Sequence, residues 1–153
     1  MLFRSRLVPD VGPGGPDGGG GNPGGGITTR YEAESGTCDG TIDSDHTGFS
    51  GSGFCNTNNA VGAAIQWTVN ATSAGTATLA IRYSNGTTAN RPMDISVNGT
   101  VAAAATAFNA TTNWDTWSTK TLTVPVNAGA NTVRAVATTA NGAPNVDYID
   151  ITQ

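Results

Sequence analysis

From Ala63 onward, apolar and polar residues alternate in short runs. Ala63, Ile65, Trp67 and Val69 interleave with Ala64, Gln66 and Thr68, and Ala77, Leu79, Ile81 and Tyr83 repeat the pattern. Met93, Ile95 and Val97 form a third run. Leu122, Val124 and Val126 form a fourth, Val133, Ala135 and Ala137 a fifth, and Val146 to Ile151 the last. A period of two places every second side chain on one face of a strand, so each run predicts a half-buried β-strand. The breaks carry turn chemistry: Ser84-Asn85-Gly86, Asn98-Gly99 and Asn127-Ala-Gly-Ala-Asn131. Asn-Gly is a strong hairpin signal because both residues tolerate positive φ. No segment sustains a helical period. The expectation is an all-β fold, a β-sandwich of jelly-roll type.

Composition divides the chain. Pro9 to Gly26 is almost entirely Gly, Pro, Asp and Asn, with Val11 its only apolar residue. Such a stretch has nothing to bury and serves as a tether. As a flexible coil of about 18 residues it spans roughly 20–25 Å. Residues 1–8 are too short for a signal peptide and read as the tail of a preceding domain or an expression remnant. Residues 27–153 are long enough for one core and form the expected module. A tether in front of one small domain implies something on its other side, as in a module of a larger multidomain protein. The formal net charge is −4 and no basic run exists, which argues against nucleic acid. No apolar run reaches membrane-span length. A monomer is expected.

The candidate chemistry begins at Tyr31-Glu-Ala-Glu34. On a strand, Glu32 and Glu34 would point to one face and set two carboxylates side by side. Like charges that close favour a cation between them, and hard oxygen ligands suit Ca²⁺. Asp147 would supply a third carboxylate if the first and last strands pair. The plainer alternative is two solvated glutamates on an edge strand. Cys38 and Cys55 most simply form one disulfide, with two buried free thiols as the alternative. Closing that loop would contribute about 3 kcal/mol. Asp39, Asp43, Asp45 and His46 form the most enzyme-like cluster. One histidine and no recognisable acid/base pair leave catalysis without its residues, so no enzyme is expected. Asp43 and Asp45 before Gly48 resemble the start of a calcium loop that lacks its bidentate glutamate. Asn70, Asn85, Asn98 and Asn109 stand in Asn-x-Thr sequons, which matter only in a eukaryotic secretory pathway. A purely structural β-sandwich remains an alternative.

Seven motifs occur in one order: Tyr31-Glu-Ala-Glu34, Gly48-Phe-Ser-Gly-Ser-Gly-Phe54, Arg82-Tyr-Ser-Asn-Gly86, Asp94-Ile-Ser-Val-Asn-Gly99, Trp114-Asp-Thr-Trp117, Asn127-Ala-Gly-Ala-Asn131 and Asn145-Val-Asp147. Together they resemble carbohydrate-binding module family 35, in the clan of families 6, 35 and 36. Such modules are appended to secreted bacterial glycoside hydrolases, chitosan-degrading exo-glucosaminidases among them. The resemblance implies a structural calcium on Glu32, Glu34 and Asp147. It implies a sugar hydrogen-bonded by Asn145 and stacked on Trp114. Trp117 enters the strand toward Leu122 and reads as core, the common place for a Trp. Several members bind terminal uronic acids, glucuronic or unsaturated galacturonic, through a second calcium. Asn56, Asn58 and Asn59 offer amide oxygens for that second ion and the ligand, and Arg91 could fork onto a carboxylate. As turn and surface residues, the same four side chains have a plainer structural explanation. Phe49 stands where many relatives have Tyr, which removes a hydroxyl contact. Neutral mannan, galactan or chitosan-related sugars are the alternative ligands. The implied role is extracellular: targeting an attached hydrolase to plant cell-wall polysaccharide.

Overall fold

A computed structural model describes residues 26–153. The tail 1–8 and all of the linker except Gly26 lie outside the described residues. Arg30–Ile151 forms one compact unit. The flanking residues hydrogen-bond among themselves, Ile27 N to Gln153 O at 2.9 Å and Gln153 N to Ile27 O at 3.2 Å. The strands are β1 (Thr28–Glu32), β2 (Thr37–Cys38), β3 (Gly40–Asp43), β4 (Phe54–Thr57), β5 (Ala64–Ala71), β6 (Gly75–Ser84), β7 (Met93–Val97), β8 (Thr100–Thr106), β9 (Ser118–Val126), β10 (Gly129–Ala137) and β11 (Asn145–Thr152). One sheet runs β3-β4-β11-β6-β9, with β1 beside β11; the other runs β2-β5-β10-β7-β8. This is the expected β-sandwich, two antiparallel sheets with the apolar members of each alternation turned inward.

The register explains that alternation. In the five-stranded sheet, Val133 of β10 stands opposite Trp67 of β5 and Val97 of β7, and Ala135 stands opposite Ile65 and Ile95. All six are buried. Leu79 and Ile81 of β6 contribute from the other sheet and join them in one core cluster. Each such aliphatic side chain contributes about 1.5–3 kcal/mol when taken out of water.

Turn chemistry was read correctly at one place and misread at another. Asn98 (φ 53°) and Gly99 (φ 83°) make a two-residue hairpin closing Val97 against Thr100. Ser84-Asn85-Gly86 is not a hairpin. β6 pairs with β9 and β7 pairs with β10, so this segment carries the chain between sheets. Asn85 is buried, and its Nδ2 donates to the carbonyls of Ala89 (2.8 Å) and Phe108 (2.9 Å). A glycan on that sequon is incompatible with the fold. Asn127–Asn131 also crosses between sheets, with Asn131 Oδ1 accepting from the Asn127 N–H at 2.8 Å.

Two further expectations need correction. β1 ends at Glu32, and Ala33–Ser35 turns as a short 3-10 helix, so Glu34 does not share a strand face with Glu32. Trp117 is half-buried outside the main core, edge-on to Phe54 at 5.6 Å between ring centroids, and its Nε1 donates to Thr47 O at 2.8 Å. Cys38 and Cys55 form a disulfide with Cα atoms 5.9 Å apart. Cys38 lies on β2 and Cys55 on β4, so the bond staples one sheet to the other. Replacing both cysteines by serine should lower unfolding stability by about 3 kcal/mol in urea titrations. Intact-mass analysis should show no alkylation of the native protein before reduction; two reactive thiols would contradict the pairing.

Candidate functional site

The connection 44–53, between β3 and β4, is held down by carboxylates. Asp147 is fully buried on β11. Its Oδ1 and Oδ2 accept the Ser50 N–H at 2.9 and 3.0 Å, and its Oδ2 accepts from Arg82 Nη1 at 2.6 Å. Burial pushes the Asp147 carboxyl above its ordinary pKa, and Arg82 and the Ser50 amide partly offset that. Glu32 Oε2 accepts from Ser50 Oγ at 2.8 Å, and Glu34 Oε2 accepts the Ser52 N–H at 2.7 Å. The strand and the 3-10 turn therefore still bring both glutamates to one place. A Cβ on Gly51 would collide with Glu34 Oε2 and come within 3.1 Å of Glu32 Oε1.

This acidic site is left partly unpaired. Glu32 Oε1 and Glu34 Oε1 are buried without a hydrogen-bond donor among the described residues. Asp147, expected as the third carboxylate, accepts from Arg82 and the Ser50 amide. Among the described residues no three His, Cys, Asp or Glu side chains stand in a metal-holding cluster. The two orphaned carboxylate oxygens nonetheless fit a hard cation, since Ca²⁺ takes six to eight oxygens and accepts hydroxyls and carbonyls among them.

A second feature is an open cleft of about 230 Å³, lined by His46, Asn56, Asn59, Arg91, Trp114 and Asn145. Five of the six are candidates from the sequence. Asn58, the other candidate, is not in the lining; its N–H donates to Asp39 O at 2.8 Å. The lining comes from four connections and two strands, β4 and the first residue of β11. Asn145 is buried and Trp114 is half-buried. Gly86 lies against the indole: a Cβ there would stand 2.5 Å from Trp114 Cγ and Cδ1. Thr112, two residues before Trp114, has φ 81°, a strained conformation for a β-branched residue.

Arg91 supplies the cleft's fixed charge. Its Cζ lies 5.3 Å from the Trp114 ring centroid, and its Nη1 donates to Ala143 O at 3.1 Å. Its Nε is buried with no acceptor among the described residues. Burial pushes its pKa down, yet a guanidinium stays protonated at neutral pH. Asn56 Nδ2 donates to Asp43 Oδ2 at 2.8 Å, which holds Asp43 below the usual carboxylate range. Phe49 lies outside the lining, 5.7 Å from Phe54 between ring centroids.

Two contributors were missed. His46 was grouped with acidic neighbours as a possible catalytic cluster, and nothing in the sequence links it to Trp114. Asn85 read as a turn residue, yet it stitches the Arg91 and Trp114 connections together. The Asn85 N–H bonds Thr111 Oγ1 at 2.9 Å, and the Thr111 N–H bonds Asn85 O at 2.8 Å.

An aromatic plane, a buried amide and a desolvated guanidinium in one open cleft suit a polar ring with apolar faces. Comparison with known proteins gives the same direction. The model described as carbohydrate binding module (family 6) matches residues 32–153. An exo-beta-D-glucosaminidase of Amycolatopsis orientalis is 47% identical over 133 residues, covering 86% of this chain and 13% of that protein. The chain thus spans a small part of that relative's length. A solved family 35 carbohydrate binding module from Clostridium thermocellum shares 40% identity at a TM-score of 0.80, over 82% of this chain and 97% of that one. A module named Xyl-CBM35, solved with a glucuronic acid containing disaccharide, shares 45% identity at a TM-score of 0.76, over 81% of this chain and 92% of that one. The chain belongs to carbohydrate-binding module family 35, within the grouping that the family 6 model describes, and is a non-catalytic module whose ligand is a carbohydrate.

Proposed function

We propose that this module binds a terminal uronic acid in the Trp114 cleft, supported by calcium, and holds an attached glycoside hydrolase near extracellular plant polysaccharide. The observation that carries the uronate reading is Arg91, a half-buried guanidinium beside Trp114 whose Nε has no partner among the described residues. A carboxylate is the ligand group that satisfies such a donor best. The family 35 relative solved with a glucuronic acid containing disaccharide supports it. The sugar's apolar face stacks on Trp114, and Asn145 bonds its hydroxyls. A neutral or chitosan-related sugar is the second reading, favoured by the match to an exo-beta-D-glucosaminidase. Tethering raises the effective concentration of a parent enzyme at its substrate and adds no chemistry.

Glu32 and Glu34 would hold a structural calcium, with Asp147 as a third carboxylate shared with Arg82. Bound there, the ion neutralises buried negative charge and pins the 44–53 connection. At the cleft, Asn56 and Asn59 offer only neutral amides, and no carboxylate is in the lining. A second calcium fits there only if the sugar's own carboxylate joins the set, so metal and uronate should bind as a coupled pair.

Calorimetric titration with D-glucuronic acid tests the site. Trp114→Ala should remove most of the affinity, and Asn145→Ala should cost about 1–3 kcal/mol. Gly86→Ala should weaken binding about tenfold through the displaced indole, with the fold intact by circular dichroism. Unchanged binding in Trp114→Ala would end this reading of the cleft. For the acidic site, EDTA and Glu34→Gln should each lower the melting temperature by about 10 °C, since an ion bound only to the native state adds to its stability. A wild-type melting curve indifferent to EDTA would remove the structural calcium.

A further inference from the structure

We propose that His46 is a ligand-contacting residue of the cleft, accepting a hydrogen bond from a pyranose hydroxyl, with Asp115 as the residue that positions it. The inference rests on the cleft being a sugar site. His46 is in the lining, and its ring centroid lies 6.3 Å from that of Trp114 at an interplanar angle of 30°. On its other side it meets Phe54, with centroids 6.0 Å apart. The imidazole is therefore confined between the aromatic platform and the fully buried Phe54.

Its hydrogen-bonding character is set by Asp115. His46 Nδ1 lies 3.3 Å from Asp115 Oδ1. That same oxygen accepts the Thr47 N–H at 2.8 Å, and the Asp115 N–H donates to Asn113 Oδ1 at 2.9 Å. Asp115 is thus tied to both connections that meet at His46. A carboxylate only accepts, so Nδ1 carries the hydrogen and Nε2 of the neutral ring is an acceptor. Acceptors in the cleft are few: Arg91 only donates, no carboxylate is in the lining, and His46 Nε2 joins only the amide oxygens of Asn56, Asn59 and Asn145. A sugar hydroxyl must place its own hydrogen somewhere, and a buried hydroxyl without an acceptor costs affinity.

The chain has one histidine, so its imidazole resonances are unambiguous. Isotope-labelled protein would be titrated with D-glucuronic acid in calcium buffer, following the imidazole signals and the Trp114 indole N–H, the latter assigned with Trp114→Phe. The His46 signals should move and saturate together with Trp114, and the imidazole ¹⁵N shifts should report the Nδ1–H tautomer. Asp115→Asn should shift that tautomer ratio and weaken binding severalfold. His46→Ala should bind about tenfold more weakly at an unchanged melting temperature, and His46→Gln, which keeps an acceptor, should recover part of the loss. A stationary His46 beside a saturating Trp114, or affinity in His46→Ala within about twofold of wild type, would overturn the role of His46 and leave the uronate site standing. If both residues stay unmoved by the sugar, the uronate reading itself falls and His46 with it.

Discussion

Three carboxylates gathered under the 44–53 connection are the constraint on which the rest depends. Burying negative charge is costly unless each charge finds a partner. Asp147 finds Arg82 and the Ser50 amide; Glu32 and Glu34 each find a serine and keep one buried oxygen unpaired among the described residues. These bonds fix the path of the connection that carries His46 to the cleft. The small aromatic group of Phe49, Phe54 and Trp117 supports the same segment from its apolar side. The acidic site and the cleft are thus mechanically linked, and a cation bound at the first would steady one wall of the second.

The opposite wall has a different anchor. Asn85 is buried because its amide satisfies two carbonyls that no strand partner reaches, on Ala89 and Phe108. Next to it, Gly86 leaves room for an indole where any side chain would intrude. One residue fixes the backbone and its neighbour seats the platform. The two sheets beneath act as a rigid support, their inner faces closed by Leu79, Ile95 and Val133 and their sides tied by Cys38–Cys55. Placing binding groups on connections over such a support is the usual division of labour in β-sandwiches.

The long strands were legible because a period of two is the direct imprint of one buried face. β5, β6, β7, β9, β10 and β11 all carry it. The short edge strands β2, β3 and β4 have too few positions to show a period, and β8, with its run of alanines and exposed Val101, has none. Which strands pair was not legible: β6 with β9 joins residues some forty positions apart. The family motifs contain two of the six lining residues, Trp114 and Asn145, and side-chain chemistry added Asn56, Asn59 and Arg91. Trp117 was expected in the core, but its half-buried place depends on Phe54, and His46 was not placed at the cleft because its position depends on Asp115 far along the chain. Glu34 reached its place by a turn rather than along a strand, so the right neighbours came from the wrong local geometry.

The central claim is that charge on the sugar decides recognition. The most direct measurement is a pair of calorimetric titrations of the wild-type module, with D-glucuronic acid and with D-glucose, in calcium and again in EDTA. The account predicts much tighter binding of the acid in calcium, a marked loss of that binding on chelation, and weak binding of glucose in both buffers. Equal affinity for the two sugars, or acid binding indifferent to calcium, would contradict it and leave a neutral-sugar site.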